Sequence, residues 1–405
     1  MEKKYKIMML AFSGVPFIMV LGNSMLIPEF PQIKAALNIS QFQVSLFITA
    51  FSISAGITIP FLGYLCDQIG RIKIIVPALL LYGAGGIISG LAALFLDKPY
   101  AVILCGRVIQ GIGAAGTAPI VMALVGDIFQ SQQRSEVLGI LEASNGLGKV
   151  LSPILGSAIG LISWIALFFF YAILAIPIAA AVWFLGEEKK EPKKQGFREY
   201  LADIKDIFKK KGSSLLATIL AGMLVLFVLF GLLSSFSDTL ETKYHIKGFS
   251  KGLVIAIPIL FMSITSYTIG RILKKKVKKY YKLSVITGLI LVTAMLILLY
   301  YMDSLLAYLI FFSLLGIGTG LVLPSVNTMV TSSCSTSQRG VITSLYGAAR
   351  FIGVAIGPPA FTSLLEISRL CMYFATAGVA FLVLISAFIF IKEKGMTPRT
   401  EGQGG

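Results

Sequence analysis

Charge is what this sequence has little of. Asp, Glu, Lys and Arg make up 13% of its 405 residues, about half the share of a soluble domain, which is roughly 25%. Histidine occurs once, at His245, and the four cysteines, Cys66, Cys105, Cys334 and Cys371, lie far apart with no CxxC pair. Those absences exclude a zinc site of ordinary ligand spacing and a disulfide scaffold. A chain with so little polar surface does not read as a soluble enzyme or a disordered protein, and no cofactor, metal or catalytic set is expected. Apolar residues stand in place of the missing charge: 56% of the chain is hydrophobic and the mean hydropathy is +0.87.

A membrane-spanning helix needs about 20 apolar residues. Runs of that kind recur at 7–27, 42–66, 74–95, 101–125, 138–160 and 165–185, then after a polar interval at 214–236, 251–270, 283–302, 305–330, 340–365 and 371–391. The pattern predicts an all-α membrane protein with twelve transmembrane helices in two six-helix bundles. It divides the chain into a first bundle (1–186), a linker (187–213), a second bundle (214–391) and a tail (392–405). The first run follows Lys3, Lys4 and Lys6, and eleven more runs come after it, so it reads as an uncleaved helix rather than a signal peptide.

Basic residues orient the chain. With the N-terminus inside the cell, 26 of the 35 fall in cytoplasmic segments and six outside, which predicts a multi-pass plasma-membrane protein with both termini cytoplasmic. The net charge of +16 then reflects lysine-rich loops against anionic lipid, not nucleic acid. In the linker, Phe197, Leu201, Ile204 and Phe208 fall on one helical face among lysines, the pattern of an amphipathic helix lying on the membrane.

The halves repeat. A shift of 205 residues carries Gly111 onto Gly316, Gly113 onto Gly318, Pro119 onto Pro324, Arg134 onto Arg339, Gly148 onto Gly353 and Pro153 onto Pro358. Repeated halves are the mark of a transporter whose site lies between them near the midplane. Gly111, Gly113 and Gly116 match GxGxxG, but no strand precedes them, so they read as close helix packing. Gly248-Phe-Ser250-Lys-Gly252 matches the hydrolase GxSxG, yet His245 precedes the serine, the wrong order for that fold. It reads as a turn into a helix.

Between the second and third runs stands Gly63-Tyr-Leu-Cys-Asp67-Gln-Ile-Gly70-Arg71-Ile-Lys73. It resembles the signature loop of the major facilitator superfamily. Arg107-Val-Ile-Gln110-Gly111 resembles the second motif of that superfamily's proton-coupled drug exporters. Gly146-Leu-Gly148-Lys149-Val-Leu-Ser152-Pro153-Ile-Leu-Gly156 resembles their antiporter motif, with Ser152 before the proline and Ser157 in place of a later glycine. This wording is most similar to Bacillus-type exporters of drugs, aromatic compounds and catecholate siderophores. The resemblance implies alternating access, with Gly63, Asp67, Gly70 and Arg71 as a conformational switch. In the second half Lys274 occupies the place of Asp67, so that copy reads as having lost the relay.

Charges within the apolar runs carry the rest. Each costs roughly 2.5–3.5 kcal/mol at the bilayer centre and so faces a partner or a wet cavity. Lys149 lies about 22 Å along its helix from Arg134, and Arg350 about 16 Å from Arg339. Glu142 reads as the one carboxylate clearly inside a helix, on the face of Lys149. Lys149, Arg350, Asn145, Asn23 and Asn327 are the expected substrate contacts. Glu142, Arg107 and Asp238 are the expected proton-coupling residues. Glu29 and Asp238 lie near the outer boundary, where a solvated helix end is the plainer reading.

Three basic groups against one acid favour an anionic or zwitterionic aromatic substrate. The expectation is a monomeric exporter of small organic molecules in exchange for protons, a catecholate siderophore fitting the sign. Efflux of cationic drugs and substrate–proton import remain open as alternatives.

Overall fold

A computed structural model describes residues 3–129, 131–186, 197–275, 280–333 and 339–392. Among these, every regular element is helical: α1 (Lys3–Ser24), a 3-10 turn (Ile27–Glu29), α2 (Phe30–Leu37), α3 (Gln41–Ile69), α4 (Ile72–Phe95), α5 (Tyr100–Ala115), α6 (Ala118–Ile128), α7 (Ser131–Gly160), α8 (Ala166–Leu185), α9 (Phe197–Thr242), α10 (Gly248–Lys275), α11 (Tyr280–Tyr300), α12 (Leu305–Ser332), α13 (Arg339–Ile367) and α14 (Arg369–Phe390). Eleven stretches are long and apolar enough to cross a membrane. The remaining crossing is α7, whose 30 residues reach about 45 Å but include Glu136, Glu142 and Lys149.

Two crossings are broken where the sequence forces it. Pro28 and Pro31, which cannot donate a backbone hydrogen bond, turn the first crossing through Ile27–Glu29 before α2 resumes it. The first run therefore extends ten residues beyond the 7–27 read from hydropathy. The fourth crossing breaks at Gly116–Thr117 between α5 and α6, ahead of Pro119. Elsewhere ends are set by local chemistry. Ser40 and Gln43 form a reciprocal cap on α3, while Ser304 and Ser368 cap α12 and α14. α9 contains a break at Lys211 (φ −137°, ψ 15°), where the ammonium reaches Ser333 O at 2.6 Å. The side chains of Phe197, Leu201, Ile204, Phe208, Arg134, Lys274 and Arg339, and residues 187–196 and 393–405 altogether, lie outside the described set.

With twelve crossings the chain begins and ends on one side, here the terminal face; the opposite side is the distal face. The repeat has a spatial meaning. Gly111 packs on the backbone of α3 and its mate Gly316 on that of α10. Gly113 meets α4 as Gly318 meets α11, and Gly148 meets α1 as Gly353 meets α9. Matched glycines thus seat matched helices in each half, which is the packing role expected of the GxGxxG-like run.

The halves meet along two seams. α3 and α13 run antiparallel in contact over their length, from Thr49, which donates to Ala355 O at 2.7 Å, past Gly56 on Ala348, to Gly63 on Ser344. The second seam is between α7 and α10.

Candidate functional site

At the distal face the halves are closed. Gly252 on α10 lies against Ser157 and the carbonyl of Pro153 on α7. Ser157 Oγ donates to Pro153 O at 3.0 Å and lies 3.5 Å from Phe249 O across the seam. Ser237 of α9 donates to Ile27 O at 2.7 Å. Lys34 of α2 and Asp238 of α9 form an ion pair at 2.6 Å. Asp238, an expected proton carrier, thus pairs with a cation of the other half. The second half secures its own distal loops through Asp303, which pairs with Lys243 at 3.0 Å and Arg369 at 3.1 Å. Hydrogen bonds from those two cations hold its carboxyl below the usual carboxylate range.

Toward the terminal face α7 and α10 part. Gly146 and Gly139 stand 11 and 18 residues before Ser157, about three and five turns, so all three share one face of α7. Gly270 stands 18 residues after Gly252 and shares its face of α10 in the same way. Ser157 and Gly252 touch, yet a β-carbon at Gly139, Gly146 or Gly270 would meet nothing within 4 Å. The two helices therefore form a wedge that opens toward the terminal face. Glu142 is exposed on the same stretch of α7.

Lys149 is half-buried on α7, and its charged neighbours are Arg350 of the other half and Glu142. The guanidinium of Arg350 lies 5.6 Å from the ring centre of Tyr346. Arg350 Nε and Tyr346 Oη are both buried without a hydrogen-bond partner among the described residues. Two cations from opposite halves thus flank donors that the protein leaves unused, and a buried unpaired donor is costly enough to call for an explanation. A ligand carrying negative oxygens would supply the missing acceptors. Tyr346 was not singled out from the sequence, although it stands one turn before Arg350, a spacing that puts both on one helical face.

The other expected contacts are spread more widely. Asn145 is half-buried on α7, and Asn327 is exposed on α12. Asn23 is buried and accepts from Ser52 at 3.0 Å, tying α1 to α3. Arg107 is fully buried. Its guanidinium donates to Phe47 O at 3.0 Å, Gly22 O at 2.6 Å and Gln110 Oε1 at 2.5 Å, and stacks 4.5 Å from the Phe51 ring centre. No carboxylate pairs with it among the described residues, so its charge is held by carbonyl dipoles and aromatic faces. That geometry clamps α1, α3 and α5 together.

The sequence profile described as Major Facilitator Superfamily matches residues 12–358. The chain belongs to the major facilitator superfamily. Within that superfamily it is 41% identical to the protein named "Bacillibactin exporter" of Bacillus subtilis (strain 168), over 94% of this chain and 95% of that one. It is 27% identical to "Multidrug resistance protein 2" of the same organism, over 93% of each. Its fold matches the crystal structure of a bacterial homolog of the human lysosomal transporter Spinster, with a TM-score of 0.77 at 16% identity, over 97% of this chain and 99% of that one. As a member it is a multi-pass membrane transporter of small molecules.

The signature loop of the superfamily sits at the terminal face. Gly70 adopts φ 105°, a conformation open to glycine and closed to most residues. This turn delivers Arg71 into an ion pair with Asp127 at 3.1 Å, with Asp67 at 3.8 Å. Asp67 also lies 4.0 Å from the β-position of Gly340 in the first turn of α13, where a negative charge meets the positive helix end. Gly63 permits the close approach of α3 to Ser344.

The reading of Glu142 as the one intrahelical carboxylate does not hold. Asp127 lies in α6, Glu136 in α7, and Asp238 and Glu241 in α9. Glu29 is not a solvated helix end: it is 1% exposed. The reason is the proline-turned extension of the first crossing, which carries residue 29 inside the bundle.

Proposed function

We propose that this transporter exports small aromatic anions or zwitterions from the cell in exchange for protons, with a catecholate siderophore as its substrate. The observation that carries the reading is the set of unused donors on Arg350 and Tyr346 beside Lys149. Catecholate oxygens are strong acceptors and the ring is a flat partner for Tyr346. The identity with a protein named as an exporter of bacillibactin supports the same substrate class. In this reading the terminal face is cytoplasmic, following the 26-to-6 distribution of basic residues. The wedge between α7 and α10 is then the entry from inside, and the closed distal face is the outer gate. Glu142, exposed on α7 near Lys149, returns protons to the cytoplasmic side.

The test uses everted membrane vesicles and a radiolabelled catecholate chelator. Accumulation that requires an acid lumen supports the reading. Accumulation of cationic dyes without the catecholate would replace it with multidrug efflux. Catecholate movement only in the opposite sense, with the proton, would make the protein an importing symporter. A deletion strain that still secretes its chelator at the normal rate would remove the siderophore assignment.

A further inference from the structure

Glu29 is placed unlike any other acid in the described protein. It closes the 3-10 turn between α1 and α2, is 1% exposed, and neither carboxyl oxygen has a hydrogen-bond partner. The carboxyl rests on the α-carbon of Gly160 at the distal end of α7, in the space a β-carbon there would fill. The 3-10 turn is packed against α7, α9, α10 and α2. α7 brings Gly160 and no charged group at that level. α9 brings Asp238 and Glu241, α10 brings Lys251, and α2 carries Lys34.

Those charges are already matched without Glu29. Lys34 is held by Asp238 at 2.6 Å. Lys251, itself 1% exposed, is held by Glu241 at 2.8 Å. Lys247 approaches Glu241 at 4.0 Å but is 70% exposed, so water screens it. Buried Lys251 and half-buried Lys34 thus face two acids of their own, and an ionised Glu29 would add an unmatched negative charge with no hydrogen bond to either oxygen. Burying a carboxylate that way is far more costly than burying the neutral acid.

We propose that Glu29 is a proton-binding gate residue: it takes a proton from the solution at the distal face, and that face closes over it as the neutral acid. When the halves part there, α9 and α10 of the second half withdraw from the 3-10 turn, water reaches the carboxyl, and its proton leaves to the distal solution as the carboxylate forms. Closure in the absence of a proton is opposed, so the distal gate follows the pH of the distal solution. The inference rests on the proton-exchange reading above and adds to it the group that senses the distal side.

The experiment measures distal opening directly. Spin labels at positions 162 and 250, the distal ends of α7 and α10, are introduced with the native cysteines replaced, and pulsed EPR distances are taken in nanodiscs from mildly acid to mildly alkaline pH. The wild type is expected to open as pH rises. Glu29→Gln should stay closed at every pH and lose pH-driven accumulation by about tenfold or more, while still binding a catecholate in titration calorimetry, which shows that it is folded. Glu29→Asp should keep a pH response, and Glu142→Gln should leave gate opening unchanged. Gly160→Ala, which fills the space of the carboxyl, should hold the distal face open. A Glu29→Gln protein whose gate still follows pH, or a wild-type gate indifferent to pH, overturns the inference. Absence of pH-driven accumulation in the wild type itself would instead overturn proton exchange.

Discussion

Ser157 of α7 and Gly252 of α10 touch at the distal face, the serine hydroxyl occupying the space that a β-carbon on Gly252 would need. This contact joins the halves, and the same two helix faces are apart below it. Gly252→Ala is therefore expected to push the distal ends apart. Overpacking of this kind costs roughly 1–3 kcal/mol, enough to shift the balance of states about tenfold. A cysteine at position 250 should label faster from the distal side in that variant, with normal abundance. Unchanged labelling would place the closing contact elsewhere.

Lys149 and Arg350 are expected to act on substrate sign. Truncating a partner in a charged hydrogen bond costs about 1.5–3 kcal/mol, or about 10–100-fold in Kd. Lys149→Ala and Arg350→Ala should each weaken binding of an anionic catechol by that factor and leave a cationic dye unaffected or better bound. Tyr346→Phe removes one donor and should have a smaller effect of the same sign. Titration calorimetry on purified protein distinguishes the cases; loss of cation binding with anion binding retained would contradict the assignment.

Arg107 is expected to be a clamp rather than a carrier. Arg107→Met removes three hydrogen bonds and leaves the carbonyls of Gly22 and Phe47 without that donor. A loss of roughly 2–4 kcal/mol follows at about 1 kcal/mol per bond. Arg107→Lys should recover only part of it, because an ammonium lacks the planar fork that reaches α1, α3 and Gln110 together. Thermal unfolding in detergent reads the result. Normal stability with lost proton coupling would point to a direct role in proton transfer.

At the terminal face, Asp127→Asn frees Arg71 from its 3.1 Å partner. The longer contact with Asp67 remains, so switching between states should be perturbed without loss of protein. Transport by Asp127→Asn and Asp67→Asn should fall together, and the double variant should be no worse than the more damaging single one, since both act on one arginine. Additive losses would show that the acids act independently. Lys274→Ala, in the degenerate second copy, should matter much less.

How far the fold could be read in advance has a physical basis. Lipid-length apolar runs, proline positions and a 205-residue repeat are properties of the chain alone. In a membrane they determine helix number, order and approximate ends, because each backbone hydrogen bond must be satisfied within its own helix. Gly111 and Gly316 could likewise be recognised as packing sites, since small residues at matched positions have the same use in each half. What a side chain pairs with is a different matter, because it depends on helices far away in sequence. Asp127 and Arg71 are 56 positions apart, and nothing local links them. Lys149 and Arg350 were recognisable as charges in apolar runs, but only the joining of the halves along the α3–α13 and α7–α10 seams brings them within electrostatic reach. Hydropathy ended the first run before Glu29. The turn at Pro28 and Pro31, the bare backbone of Gly160, and the commitment of Lys251 to Glu241 together decide that this carboxyl is buried and unpaired, and each is supplied by a different helix.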